Sequence, residues 1–134
     1  MIMNKFQKRL SKLSTNHETA IVIGHGFGYL EQIIEIYNTV FVIGGQPPLI
    51  KSKNLIYREN FNKISQIPEV GAIFFDLSEV HRFEEVLLGW QGNRAIIVIE
   101  GNEPIDRTLS KFLYNSFYEC TGLHGFFHIW ELKK

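Results

Sequence analysis

The sequence predicts an α/β fold of three layers, in which a mostly parallel sheet lies between helices and ends in an antiparallel hairpin. Two observations lead to this prediction. Short runs of β-branched and aromatic residues alternate with longer amphipathic stretches, as expected when each buried parallel strand is followed by a helix. Near the C-terminus, two apolar segments flank a short glycine-containing stretch, which is typical of a β-hairpin.

Residues 20–23 begin the sheet, because this continuous β-branched run ends at a glycine. Apolar residues at helical spacing predict a helix over residues 29–38, and the apolar run at 40–43 predicts the second strand. Glycines and prolines at 44–48 break any regular structure and indicate a loop. Residues 54–58 are a weaker candidate for the third strand.

Residues 71–75 form the predicted fourth strand, which ends at Asp76, while residues 60–69 before it are a loop or a short helix. Ser78 can cap the next helix, and Gly89 marks its end.

The clearest buried strand follows at residues 95–99. Pro104 opens another helix. Segments 118–121 and 126–132, on either side of residues 122–125, complete the sheet as a hairpin.

Length and composition predict a single domain spanning residues 1–134. One cysteine excludes an internal disulfide and favours a reducing, cytoplasmic location. Lysine and arginine number 14, as do aspartate and glutamate, so no net charge draws the chain to nucleic acid or anionic lipid. No apolar stretch is long enough for a membrane span, and charged residues interrupt any signal peptide core.

Residues 1–16 are predicted to form a basic amphipathic helix that precedes the α/β core of residues 18–134. The first 13 residues carry four cations and no acid, which leaves a charge of −4 on the remaining 121. We favour a helix packed on the core with its cations in solvent, while contact with nucleic acid or another anionic partner is the alternative. The cations concerned are Lys5, Lys8, Arg9 and Lys12.

A glycine-rich loop after the first strand is the strongest functional signal. Gly24, Gly26 and Gly28 enclose His25 and Phe27 immediately before the first core helix. Such glycines let a ligand lie directly on the backbone, and the helix N-terminus offers N–H groups to it. The alternative is a tight turn that packs helix on strand without any ligand. His25 likewise fits two interpretations, as a hydrogen-bonding partner of a ligand or as an exposed loop residue.

This Gly-x-Gly-x-Gly spacing, in a chain that ends with a hairpin, resembles the class I S-adenosylmethionine-dependent methyltransferases, which have a Rossmann-like fold. The resemblance covers about residues 18–134. It implies that S-adenosylmethionine or a related adenosyl ligand binds over the glycine loop, and that an acid after the third strand contacts the adenine. It also implies that Asp76, the candidate catalytic residue, faces the transferred methyl group. The implied cofactor-binding residues are Gly24, His25, Gly26, Phe27, Gly28, Gly44, Glu59, Asn60 and Asp76.

The cofactor motif departs from that family at two positions. Val22 stands where members usually have an acid two residues before the loop, and Gly44 stands where an acid usually holds the ribose hydroxyls. Loss of such a charge-assisted contact costs about 1.5–3 kcal/mol. A degenerate domain that serves as a binding or assembly subunit, in a homo-oligomer or with a partner protein, is therefore the alternative function. A nucleotide- or NAD-binding enzyme is a further alternative, which Tyr29 disfavours because a dinucleotide loop has glycine there.

Other polar residues have weaker functional interpretations. Asp76 can cap the following helix instead of meeting a substrate, and Glu100 is the next candidate acid. A hydrolytic triad with His81 lacks a nucleophile motif. No metal site is predicted, because the residues with helical ligand spacing fall in the predicted hairpin. Those residues are Cys120, His124 and His128.

Overall fold

A computed structural model describes residues 7–8, 17–23, 30–44, 46–59, 67, 69–76, 96–100, 111, 118–124 and 127–132 of the chain. The predicted helices that begin at Ser78 and Pro104 fall outside these residues, apart from Lys111, which is helical. In chain order the elements are β1 (Thr19–Ile23), α1 (Leu30–Ile36), β2 (Thr39–Ile43), β3 (Leu55–Arg58), β4 (Val70–Asp76), β5 (Ile96–Glu100), β6 (Tyr118–His124) and β7 (Phe127–Leu132).

The strands form one seven-stranded sheet in the order β3-β2-β1-β4-β5-β7-β6. β1 to β5 pair in parallel, and β7 runs antiparallel to both β5 and β6. Continuous apolar sequences suit the inner parallel strands, since both of their faces are buried. The order confirms the predicted Rossmann-like sheet with its antiparallel C-terminal hairpin.

The hairpin differs in detail from the prediction. Residues 122–125 were expected to form its turn, but Gly122 lies within β6 opposite Ile129. The register shifts between Cys120 and Gly122, so β6 carries an extra residue there. Such a bulge lets a glycine-containing strand continue pairing. β6 therefore runs to His124, and the connection to β7 is shorter than expected.

Both faces of the sheet are buried, as three layers require. We call the face that packs against α1 the α1 face; its core comprises Leu30, Ile33 and Tyr37 of the α1 segment together with Ala20, Val22, Val40, Val42, Ala72, Phe74, Val98 and Ile129. The intervening residues turn to the opposite face and are also buried, among them Ile21, Ile23, Ile43, Ile73, Phe75 and Ile97. Alternation of side chains along each strand produces these two cores.

Hydrogen bonds to nearby segments of the same chain fix the connection between α1 and β2. The N–H groups of Asn38 and Thr39 donate to the carbonyls of His17 and Glu18, at 2.9 and 2.8 Å. The Asn54 side chain, which precedes β3, donates from Nδ2 to the carbonyls of Ile34 and Tyr37, at 2.9 Å each. These bonds satisfy carbonyls that the end of a helix leaves without intrahelical partners.

The N-terminal segment contacts the outer side of α1. Gln7 and Lys8 are helical, and Gln7 is 2% exposed while Lys8 is exposed. Gln7 donates from Nε2 to Oε2 of Glu35 at 2.9 Å and to the carbonyl of Gln32 at 3.3 Å. Gln7 thus bonds to α1 while Lys8 faces solvent, and the rest of the predicted basic helix, residues 1–6 and 9–16, lies outside the described residues. Within the described part of the chain, no helix has the length and apolar character needed to cross a membrane.

Candidate functional site

The carboxyl ends of β1 and β4 lie side by side where the strand order reverses. From β1 the chain continues outward to β2 and β3, and it returns on the other side of β1 at β4. In open α/β sheets, ligands bind in the crevice beyond the carboxyl ends of the strands at such a switch point. This crevice, bounded by the ends of β1 and β4, is the candidate functional site.

The glycine loop begins at the crevice. Ile23, the last residue of β1, is the register partner of Phe75 in β4. Gly24 follows Ile23 directly and Asp76 follows Phe75 directly, so the backbone brings these two predicted positions to the same edge of the sheet. The loop itself, residues 24–28, lies outside the described residues, and its ligand contacts stay predictions.

Gly44 follows β2 in a backbone conformation that suits glycine. Its φ is 80°, its position is buried, and its N–H donates to the carbonyl of Arg58 at 2.9 Å. A residue with a side chain pays about 1–2 kcal/mol for this left-handed conformation. An acid at position 44 would therefore be strained, which gives a structural reason for the departure seen in the sequence.

Two adjacent exposed residues of opposite charge, Arg58 and Glu59, stand at the carboxyl end of β3. The Arg58 guanidinium carbon lies 4.8 Å from the centroid of the Phe41 ring, a cation–π contact. Glu59 follows it and is exposed. Because Arg58 is paired with Ile43, Glu59 lies level with Gly44, the residue that follows β2, at the edge where β2 and β3 end. Its contact with an adenine stays a prediction. Asn60 lies outside the described residues.

Four residues are aligned by the strand register at the same edge of the sheet, across β4, β5, β7 and β6. Asp76 is the register partner of Glu100, and Phe127 is the partner of both Glu100 and His124. Neighbouring strands are about 4.8 Å apart, so these backbone positions span about 15 Å across β4, β5, β7 and β6. We call them the carboxyl-edge row. Partners in a register occupy the same face of a sheet, and the row therefore lies on one face.

The sequence identified only part of this row. Asp76 and Glu100 were candidates because each ends a predicted parallel strand. His124 was weighed only as a metal ligand, and Phe127 was missed. The missing information was the antiparallel pairing of β7 with β5, which brings the first residue of β7 beside the last residue of β5.

The register also separates the residues that were weighed as metal ligands. His128 is paired with Leu123, whereas His124 is paired with Phe127, the residue adjacent to His128. Successive residues of a strand alternate between faces, so His124 and His128 occupy opposite faces. Among the described residues, no group of three or more His, Cys, Asp or Glu side chains is placed to hold a metal ion. His81 lies outside those residues.

Comparison with known proteins identifies the fold. No family model matches the chain, and no curated protein matches it in sequence. Among solved structures, a protein of Anaeromyxobacter dehalogenans assigned as a type II methyltransferase is 13% identical with a TM-score of 0.55. The alignment covers 84% of this chain and 57% of that protein, so this chain spans little more than half of its length.

Two further structures match over nearly their whole lengths. Precorrin-8w decarboxylase of Methanobacterium thermoautotrophicum is 9% identical with a TM-score of 0.61, over 100% of this chain and 92% of that chain. A protein of Streptococcus mutans assigned as a methyltransferase, solved in complex with SAH, is 14% identical with a TM-score of 0.54, over 97% of each chain. The chain thus has a methyltransferase-like Rossmann fold.

Proposed function

We propose that the chain binds S-adenosylmethionine or a related adenosyl ligand in the crevice and transfers its methyl group to a small molecule or a macromolecule. The observation that carries the proposal is the switch point between β1 and β4, where the glycine-rich sequence follows Ile23 beside the position of Asp76. The Streptococcus mutans protein supports this class of ligand, because it has the same fold and was solved with SAH.

Residues at the carboxyl edge fit such a ligand in two of three respects. The glycine loop begins at the switch point, and Glu59 offers an exposed carboxylate beyond the ends of β2 and β3. Gly44 offers no carboxylate to the ribose, and its φ of 80° disfavours one. Ribose contacts must therefore come from other residues, which predicts weaker binding than a carboxylate at position 44 would give.

The adenosyl ligand supplies an electrophilic methyl carbon when it is bound. The protein's task is to hold an acceptor in line with that carbon and to receive the acceptor's proton. Asp76 is assigned this role, because the backbone brings its position beside the start of the glycine loop. The carboxylate would orient the acceptor and accept its proton as the new bond to carbon forms, while the bond from that carbon to the ligand's sulfur breaks and SAH is left.

Calorimetric titration with S-adenosylmethionine and SAH tests the ligand. We expect both to bind, Gly26→Arg to abolish binding by filling the loop, and Glu59→Gln to weaken it about ten- to a hundredfold. Leu49→Arg is the matched control: it adds the same side chain at a residue that is 99% exposed, and should leave Kd unchanged. Absence of heat and of thermal stabilisation at millimolar ligand would refute the proposal.

Gly44 also favours a second candidate, a domain that keeps this fold as a binding or assembly subunit. Glycine adopts the left-handed conformation at position 44 without strain, which is consistent with a domain that has no ribose-binding acid there. This candidate predicts a stable homo- or hetero-oligomer in light scattering together with no response to adenosyl ligands. Binding of either ligand that Gly26→Arg abolishes would contradict it.

A further inference from the structure

Among the described residues, the exposed large apolar side chains belong to β3 and the loop before it. β3 is the outermost of the described strands on its side of the sheet. These side chains are Leu49, 99% exposed in the loop before β3, and Ile56, 41% exposed within β3. Single exposed apolar residues are ordinary, so these two indicate an interaction site only in combination with the cavity and the charge at the same edge.

A shallow cavity lies on one side of the same edge. It has a volume of about 200 Å³ and is formed by the loop before β3 and by β3 itself. Its lining is mainly apolar and comprises Pro47, Pro48, Ile50, Lys51, Ser52, Leu55 and Tyr57. Leu55 and Tyr57 pack against the core of the α1 face, so the cavity opens on that side of β3. Ile56 alternates to the opposite side.

The same edge is positively charged. Between residues 51 and 59, Lys51, Lys53 and Arg58 are exposed cations and Glu59 is the single acid, which gives a charge of +2 in a chain whose total is zero. A second copy of the chain placed against this edge would bring like charges together. An acidic partner would instead be attracted to it.

We propose that β3 and its preceding loop, residues 47–58, form a docking surface for an extended, acidic segment of a partner protein. The cavity and Ile56 lie on opposite sides of β3, so a bound segment must cross the outer edge of the strand to reach both. An extended segment does this naturally, because alternate side chains point to opposite sides. Apolar side chains would occupy the cavity and cover Ile56, while acidic residues would face Lys51, Lys53 and Arg58. Arg58 adjoins Glu59 of the adenosyl site proposed above, so the test uses variants in the loop before β3, away from Glu59 in the chain.

Fluorescence polarisation with dye-labelled octapeptides tests the proposal. The probes are a peptide with the repeat Val-Val-Glu-Glu, which places valine and glutamate on both sides of an extended segment, and the matching peptide with the repeat Val-Val-Lys-Lys. We expect the glutamate peptide to bind at least about tenfold more tightly, with an affinity that falls as salt is raised. Leu49→Asp and Lys53→Glu should each weaken it at least about fivefold, because they introduce negative charge at the surface.

Lys8→Glu provides the matched control, since Lys8 is also exposed but lies on the N-terminal segment. It should change the affinity less than about twofold. Leu49 and Lys53 are exposed, so circular dichroism should find all three variants folded. Equal affinity for the two peptides, no binding at millimolar peptide, or equal effects of Lys53→Glu and Lys8→Glu would overturn the proposal. So would sedimentation evidence for a dimer that Leu49→Asp dissociates, or tighter binding of a single-stranded RNA oligonucleotide that Lys53→Glu abolishes.

Discussion

Replacement of Asn54 by aspartate tests how the loop before β3 is attached to α1. The two side chains have nearly the same shape, but the ionised carboxylate cannot donate a hydrogen bond. Asn54→Asp therefore removes the two bonds from Nδ2 to the carbonyls of Ile34 and Tyr37. It leaves the Ser52 hydroxyl an oxygen acceptor, as in the native contact of 2.5 Å with Oδ1.

The expected loss of stability follows from these contacts. Two partly buried hydrogen bonds at about 0.5–1.5 kcal/mol each contribute about 1–3 kcal/mol. A negative charge against the carbonyl end of a helix adds about 0.3–1 kcal/mol. Together they lower the free energy of unfolding by about 1.3–4 kcal/mol at neutral pH, a large part of the stability of a domain of this size.

Acidification should reverse part of this loss. Nearby carbonyl oxygens raise the pKa of the introduced carboxyl in the folded state above its unfolded-state value. The penalty is therefore complete above the folded-state pKa and decreases as the pH falls toward the unfolded-state pKa. Once protonated, the carboxyl can donate one hydrogen bond, so one of the two native bonds is recovered.

Urea unfolding followed by circular dichroism measures these differences, with wild type compared at each pH. Asn54→Ala is the control without a charge: it removes the same two bonds and also the contact with the Ser52 hydroxyl. Its destabilisation should be about 1–3 kcal/mol and should change little with pH. If Asn54→Asp unfolds within about 0.5 kcal/mol of wild type at neutral pH, the two bonds do not stabilise the loop as argued.

Three further substitutions test the backbone and the N-terminal segment by the same unfolding assay. Gly44→Ala should cost about 1–2 kcal/mol, because φ is 80° there; an unchanged midpoint would contradict the strain argument. Glu69→Gly should stabilise by about 0.5–1 kcal/mol, since Glu69 is exposed with φ of 56°, and a loss of stability would contradict it. Gln7→Ala should cost about 1–2 kcal/mol and increase cleavage of the N-terminal segment by protease, whereas Lys8→Ala should do neither.

The strands of the sheet were largely predictable because their pattern is local. A run such as residues 70–76 is apolar enough to be buried on both faces, which is typical of an inner strand of a parallel sheet. The bulge at Cys120 and Gly122 was not predictable, because it depends on which residues of β7 lie opposite. The role of Asn54 in capping α1 was hidden for the same reason: its partners are 17 and 20 residues away in the chain.

The candidate site divides in the same way. By itself, the sequence determined that glycines follow the first strand, that Asp76 ends the fourth, and that position 44 lacks an acid, because these are properties of neighbouring residues. Only the tertiary structure decided that Asp76, Glu100, Phe127 and His124 form one row, since that alignment depends on pairing between distant strands. It also decided that β3 is the outermost of the described strands on its side of the sheet, because strand order depends on pairing between distant segments rather than on one strand's own residues.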